Sequence, residues 1–488
     1  MPPLKPATLA IRITCAGNVT EEALAAIEAA LETHREAVDL LFARACLLEE
    51  LGRLTRARGA YKGVLARDAV HFGALMNLGT MLYLENRRPE ARILYMHATK
   101  NYPDNASAFV NLGNVLAEDD PAAASKAYER ALELEPTHPT ACFGLALLLE
   151  AQGDAAAART YRQRAFAEPI VRTAPYHGSG TPVRLLVLLA AHGGNIVTTL
   201  LFDDHQIEST SLVTDSYRDG MALPPHDLIF NAIGDADRAD DTLAIAERVV
   251  AASGAPVLNR PSAVRLTRRD EIGRLNAVAG VTAPQTELLP RAAITADALR
   301  ARGFSFPLLL RSPGFHMGEH FALVETPGDL PSVLATLPGD ELLAIAYLDA
   351  RRPDGSVRKY RALFIDGALY PVHLAISKAW KIHYFSADMR NNEVNRAEEL
   401  AYLTDMAAYL GPKAMTALTG IATLLDLDYG GIDFGIGPDG NVLVFEANPA
   451  MAVYFPDEDE RFAYRRSAIA RIVEAVRAMF SRRAALRP

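Results

Sequence analysis

Cysteine is scarce: 488 residues carry three, at Cys15, Cys46 and Cys142. An odd number so widely spaced supports neither a disulfide framework nor a cysteine-based zinc site. Tryptophan occurs once, as Trp380. Basic charge is not in excess, with 50 Lys and Arg against 59 Asp and Glu and a formal net charge of −9. A dedicated nucleic-acid binder normally shows a basic face, so no nucleic-acid partner is expected. The longest apolar runs, such as Leu185 to Ala191 and Leu342 to Leu348, are too short to span a bilayer, and no membrane partner is expected. The opening MPPLKPATLAIRITCAGN lacks the charged and apolar regions of a secretory signal, so a cytoplasmic protein is expected.

What is present is core-forming material, half hydrophobic and 22% charged, which excludes global disorder. At about 150 residues per domain the length suggests roughly three domains. The two halves follow different patterns. After an N-terminal segment, 1–19, residues 20–170 are rich in Ala and Leu with helical periodicity. Pro and Gly then cluster in a linker, 171–182, and beyond it short β-branched and Leu-rich runs alternate with helices.

The helical half repeats. From Gly79, the residues Ala91, Tyr95, Ala98 and Pro103 follow at offsets of 12, 16, 19 and 24. Thirty-four residues earlier, Ala45 is followed by Ala57, Tyr61 and Val64; thirty-four later, Gly113 is followed by Ala124, Tyr128, Ala131 and Pro136, each one position early. A weaker copy begins near Pro139. Small residues are needed where antiparallel helices cross closely. The period and pattern resemble tetratricopeptide repeats, which implies a stack of helix pairs whose concave face holds a peptide, a carrier or a partner protein, or an array that simply supports the neighbouring domain or mediates self-association. Tyr83, Asn77, Asn111 and Asn114 fall on first helices, where they either hold a peptide backbone or are simply solvated.

In the second half, VRLLVLLAAHGGN reads as a buried strand ending in Gly193, Gly194 and Asn195, the first piece of an α/β domain over 183–262. Open α/β sheets bind ligands beyond the carboxyl ends of their strands, so Gly194 and Asn195 are candidate substrate contacts, with a plain tight turn as the alternative. Near the C-terminus, DYGGIDFGIGPDGNVLVFEANPAM reads as two strands around a Gly-Pro-Asp-Gly turn. Glu446 and Asn448 are two residues apart and share a face, and Asp433 stands among Gly430, Gly431 and Gly435, which leave its carboxylate uncrowded. Asp433, Glu446 and Asn448 offer hard oxygen donors, the set Mg²⁺ prefers.

That ending resembles the metal-binding signature of the ATP-grasp superfamily, and upstream segments follow in the family's order. NRPSAVRLTRRDEIGRLNAVAGVTAPQTELL is similar to the element that opens the fold, with Arg269 in place of the usual Lys, ahead of a helix. FPLLLRSPGFHMGEHFALVE resembles the phosphate-contacting strand and glycine-containing loop, again with Arg for Lys at Arg311, and with Gly314 and Gly318 letting backbone N–H groups approach phosphates. His316 and His320 stand where small residues are usual. ELLAIAYLDARRPDG resembles the linking strand, whose backbone at Ala346, Tyr347 and Leu348 would pair with adenine, with Asp349 or Asp354 on the ribose. VRKYRALFIDGALYPVHLAIS reads as a hairpin carrying Lys359, Arg361 and His373, and Arg361 matches a residue that contacts phosphate or the acyl intermediate in related glutamate ligases. SKAWKIHYFSADMRNN gathers Lys378, Trp380, Lys381, His383 and Arg390, where acceptor recognition is expected together with His373.

The resemblance implies an α plus α/β protein: a tetratricopeptide solenoid, the α/β domain, a small ATP-grasp subdomain at 263–345 and a large one at 346–488. It implies ATP and Mg²⁺ as cofactors and an ADP-forming ligase that activates a carboxylate as an acylphosphate and joins it to an amine. Arg361, Arg311 and Lys381 are the catalytic candidates. The substrate would be a small molecule or a peptide, and a homodimer is one expectation. A kinase that stops at phosphoryl transfer and a non-catalytic ATP-binding scaffold are the alternatives. Arg retains the charge of Lys and adds a bidentate fork, so phosphate binding survives the two exchanges with altered geometry.

Overall fold

A computed structural model describes residues 21–191, 193–313, 318–382, 384, 387–456 and 459–485. The chain divides into two compact units, Met1–Glu168 and Pro169–Pro488.

The described part of the first unit is helical. It runs through α1 (Glu21–Thr33), α2 (Val38–Glu50), α3 (Leu54–Leu65), α4 (Phe72–Leu84), α5 (Arg88–Asn101), α6 (Ala106–Leu116), α7 (Pro121–Leu134), α8 (Pro139–Ala151) and α9 (Ala155–Ala165). Short polar caps stop and start them: Asn105 and Asp120 each accept a backbone N–H three residues on, at 3.2 and 3.0 Å. The repeated glycines have a steric cause. A Cβ on Gly79 would lie 2.6 Å from the Tyr95 ring, and Cβ atoms on Gly113 and Gly144 would lie 2.5 and 2.4 Å from the Tyr128 ring. Tyr95 and Tyr128 therefore each fill a gap left by glycine on a neighbouring helix, whereas Tyr61 belongs to the copy that has Ala45 in that place. The phenols are also satisfied: Asn77 Nδ2 donates to the Tyr61 hydroxyl at 2.9 Å, and the Tyr128 hydroxyl donates to Asn114 Oδ1 at 2.8 Å. Those two asparagines, expected to hold a peptide or face solvent, thus tie successive helices together.

The described residues of the second unit form three sheets. The first has order β1-β3-β2-β4-β5, with β1 (Val171–Thr173) antiparallel at one edge and β2 (Val183–Leu189), β3 (Ile207–Val213), β4 (Leu228–Asn231) and β5 (Val257–Leu258) parallel. The expected linker, 171–182, therefore begins with an edge strand, Val171 pairing with Leu212; three residues are too few to show a period in sequence. The chain crosses from β3 to β4 on either side of β2, so the crevice of this sheet opens at the carboxyl end of β2. After β4 comes α10 (Asp240–Ala252), and after β5 the short α11 (Pro261–Arg265). The helix expected after Arg269 is a 3-10 run over Arg269–Ala277.

The second sheet is antiparallel in order β7-β10-β8-β9, formed by β7 (Thr286–Pro290), β8 (Leu308–Arg311), β9 (Phe321–Val324) and β10 (Glu341–Ala346). Its apolar side packs with α12 (Ala296–Ala301) and α13 (Leu330–Thr336) around Leu299, Leu308, Leu310 and Leu342, all fully buried. The third sheet has order β12-β11-β13-β14-β6, from β11 (Val357–Ile365), β12 (Ala368–Ser377), β13 (Tyr429–Ile436) and β14 (Val442–Asn448). Its last member, β6 (Val281–Thr282), is parallel to β14. Position in sequence put β6 with the small subdomain, 263–345; pairing with Val442 and Leu443 puts it on the far edge of the larger sheet. Helices α14 (Glu393–Thr404), α15 (Met406–Leu425, kinked at Gly411 ahead of Pro412) and α16 (Arg466–Ala484) complete the unit.

Candidate functional site

Strand alternation and register build one row of side chains across the third sheet. Arg361 on β11 lies opposite His373 on β12 and opposite Asp433 on β13, and Asp433 lies opposite Glu446 on β14. Directly opposed residues share a face, so the four form a rung, with Lys359 two residues before Arg361 on the same face. Asn448 pairs with Gly431 and so continues that face. Both hairpins that set this register have their turns written locally. Asp366 and Gly367 take φ of 50° and 80°, the pair of positive values that a two-residue hairpin turn requires. Gly440 closes the other at φ 77°.

Asp433 is 1% exposed and is held on both oxygens. Arg361 Nε and Nη2 reach Oδ1 and Oδ2 at 2.6 and 2.9 Å, and Lys359 Nζ reaches Oδ2 at 2.6 Å. Burial alone would raise this carboxyl, but Arg361 and then Lys359 outweigh it and hold it well below the usual range. The neighbouring glycines do not leave it uncrowded as expected. A Cβ on Gly431 would strike Met451 Sδ at 2.6 Å and Leu363 at 2.8 Å, and one on Gly435 would strike the Phe445 ring at 2.9 Å. They are small because apolar packing closes around the strand.

Glu446 faces a second cation. Burial pushes its carboxyl up, but Arg269 and Arg311 pull it below the ordinary value. Arg269 Nη2 contacts Glu446 Oε1 at 2.9 Å, and its other amino group bonds Asp237, in the loop after β4. Arg269 thereby links the crevice of the first sheet to the rung of the third. Around it the loops close tightly: the Gly194 carbonyl accepts from the Gly234 and Asp235 N–H groups at 2.9 Å each, and a Cβ on Gly234 would meet the Ala450 Cβ at 2.7 Å. Arg311, at the end of β8, brings the second sheet to the same place, its guanidinium 5.6 Å from the Phe321 ring centre. Burial and the nearby Arg269 depress the Arg311 guanidinium.

Arg269, Arg311, Arg361, Asp433, Glu446 and Asn448, named from sequence, are therefore brought together. Two carboxylates and an amide oxygen on one sheet face are the donor chemistry a hard divalent cation takes. Asn448 Oδ1 accepts the Ala450 N–H at 2.9 Å, which aims its amide along the chain turn. No cluster of three or more His, Cys, Asp and Glu side chains suited to a metal occurs among the described residues. Such a cation would therefore rest on two carboxylates plus the amide, and taking Asp433 would displace Lys359 or Arg361.

The remaining candidates divide. Tyr347, Leu348 and Asp349 follow directly on Ala346, the end of β10, and the Ala346 N–H is already bonded to the Gln285 carbonyl at 2.9 Å. Asp349 grips Arg351 at 2.7 and 2.9 Å, whereas Asp354 binds Ser356. Asn195 is spent on structure: its amide both donates to and accepts from the Ala190 backbone, at 2.9 and 2.8 Å, fastening the exit of β2. His373, expected at the substrate, is buried under the Tyr384 ring at a centroid distance of 4.7 Å, and burial and Arg361 keep its imidazole well below its ordinary pKa. Trp380 stands edge-on to Phe321 at 5.5 Å, and a Cβ on Gly318 would touch Lys381 Cε at 2.7 Å. The segment carrying Trp380 and Lys381 thus borders the strand and loop that carry Arg311. Lys378 and Arg390 are exposed, Arg390 lying 3.6 Å from Asp459. Gly314, His316 and His383 lie outside the described residues. Lys359 was placed on its strand but given no role, although alternation with Arg361 signalled the shared face. Asp237 carried no signal, because its partner Arg269 is 32 residues away.

Comparison with known proteins identifies the helical half. The tetratricopeptide repeat family matches residues 16–69, 42–106 and 115–167. The N-terminal region is a tetratricopeptide-repeat array. A probable biofilm formation methyltransferase, WspC of Pseudomonas putida, is 39% identical over 103 residues, 20% of this chain. The match spans about a quarter of that relative (24%). Among solved structures, MamA from Desulfovibrio magneticus is 21% identical over 34% of this chain and 95% of its own, with TM-score 0.31. Pseudomonas aeruginosa pilF is 28% identical over 33% and 73%, with TM-score 0.30. YrrB, described as a repeat protein with an unusual peptide-binding site, is 17% identical over 33% and 84%, also at 0.30.

Proposed function

We propose that residues 169–488 are an ATP-grasp-type, ADP-forming ligase that activates a carboxylate as an acylphosphate and joins it to an amine, with the repeat array binding a peptide, carrier or partner protein. The observation that carries this reading is the rung of Arg361, Asp433 and Glu446, flanked by Lys359, Arg269 and Arg311. Cations from the second and third sheets and from the 3-10 run that opens at Arg269 converge beside two adjacent carboxylates, an arrangement suited to a polyphosphate with its counter-ion. What further supports the reading is the succession of a mostly parallel sheet, a small antiparallel sheet and a larger, mostly antiparallel sheet.

Asp433, Glu446 and Asn448 would hold Mg²⁺, which when bound offsets phosphate charge. Arg269, Arg311, Arg361 and Lys359 supply fixed positive charge where negative charge gathers as the γ-phosphoryl group moves. In that step a carboxylate oxygen of the substrate bonds to the γ-phosphorus, the β–γ bridging P–O bond breaks, and ADP leaves. The amine then bonds to the acyl carbon, the C–O bond to phosphate breaks, and the amine gives up a proton. The protein's part is positioning and charge neutralisation.

The test is an ADP-release screen of amino acids and peptides with hydroxylamine present. Mg²⁺-dependent ADP release with a hydroxamate product, abolished in Asp433→Ala and Glu446→Ala, is expected. ADP release without hydroxamate for any carboxylate, or turnover unaffected by both substitutions, would overturn the ligase reading.

A further inference from the structure

Behind the rung lies a carboxylate that the chemistry above does not use. Glu399, on α14, is fully buried (0% exposed). It gathers donors from three parts of the second unit. Its Oε1 accepts the Leu374 N–H on β12 at 3.2 Å, next to His373, and lies 3.6 Å from Arg465 Nε. Its Oε2 accepts the Tyr384 hydroxyl at 3.0 Å and also the Tyr464 hydroxyl, from the 3-10 turn before α16. The Arg465 guanidinium covers the Tyr384 ring at 4.4 Å. An isolated carboxylate this deep would be costly, and burial does raise the Glu399 carboxyl despite Arg465 and the two phenols.

The place of Tyr384 in the chain gives the cluster its consequence. Trp380 and Lys381 follow β12 shortly after Ser377, with Trp380 edge-on to Phe321, and Asp388 to Asn392 lead into α14. The far end of this segment is fixed without Glu399: Asp388 N–H bonds the Ile376 carbonyl, Asn395 bonds the Asp388 carbonyl, and Arg396 bonds the Met389 and Arg390 carbonyls. Its near end is the strand itself. Between them, the bond from Tyr384 to Glu399 is a fixed point deep in the core. We propose that Glu399 is a positioning residue that, through Tyr384, fixes the Trp380–Lys381 segment against Phe321 and so sets the acceptor subsite. This rests on the ligase reading for the word acceptor; the anchoring itself does not.

The experiment compares Tyr384→Phe with Tyr464→Phe in the full chain. Each removes one phenol hydroxyl from Glu399 Oε2, but only the first lies in the segment. Trp380 is the single tryptophan, so its emission and its quenching by acrylamide report on that segment alone. Quenching of Trp380 is expected to rise clearly in Tyr384→Phe and to stay at the wild-type level in Tyr464→Phe, with similar melting temperatures for both. If an acceptor substrate is in hand, its KM should rise about two- to tenfold in Tyr384→Phe while KM for ATP holds, the range that losing one hydrogen bond allows. Equal Trp380 changes in both variants, or none in either, would show that Glu399 merely stabilises the core and would overturn the proposal. So would an equal rise in both KM values. Failure of the ligase reading alone would leave the fluorescence difference intact.

Discussion

Asp433 is a carboxylate whose charge is tolerable only because Arg361 and Lys359 stand on it. Removing one member of such a buried set strands the others, at a cost of about 3–5 kcal/mol. Asp433→Asn keeps the shape and removes the charge, so it is expected to lower stability toward urea at pH 7 by roughly that amount. The pH dependence has a definite sign. The folded carboxyl lies below its unfolded value of about 3.9, so its stabilisation is complete above that pH and fades as pH falls toward the folded value. Urea midpoints of the wild type and Asp433→Asn should therefore converge below about pH 4 and stay apart above it. A constant gap across that range would mean that Arg361 and Lys359 do not hold Asp433 in solution.

Elements show where sequence reasoning reaches and where it stops. Gly79, Gly113 and Tyr128 were legible as a repeat because the 34-residue register repeats the same steric need. The β13–β14 hairpin was legible because its turn chemistry and two-residue alternation are local. Three features were not legible: the edge strand at Val171–Thr173, the parallel pairing of β6 with β14, and the Arg269–Asp237 link. All depend on partners far along the chain. Nor could alternation say that Asn195 would turn back onto Ala190, or that Tyr384 would cover His373; strand faces are periodic, but loop closure is not. The repeat glycines give the prediction at this scale. Gly113→Ala gains about 1 kcal/mol in helix propensity but drives a methyl group into the Tyr128 ring. That ring is blocked on its other side by Gly144, so the overpacking cost of about 1–3 kcal/mol prevails. Circular dichroism should register a less stable helical unit while Trp380 emission keeps its wild-type transition. Adding Tyr128→Ala should then cost less than the two changes summed, since the clash disappears with the ring.

For the whole molecule, the decisive fact is where the site's parts come from. Arg269, Arg311, Lys359, Arg361, Asp433, Glu446 and Asn448 all belong to Pro169–Pro488, and that unit has its own buried clusters around Leu186, Phe230, Leu308 and Phe434. The repeat array contributes none of them. On the proposed ligase reading, and if the two units divide the work in this way, a fragment spanning 169–488 should fold and bind Mg²⁺–ATP with an affinity within about twofold of the full chain, a free-energy difference under about 0.5 kcal/mol. Titration of Trp380 fluorescence measures this in both proteins. A peptide or carrier substrate docked on the repeats would instead lose its saturation at low concentration, raising KM without touching kcat for the small-molecule reaction, because tethering acts through effective concentration. A fragment that folds yet loses nucleotide binding would mean that the helical unit completes the site, and the boundary at Glu168 would then divide a single functional centre.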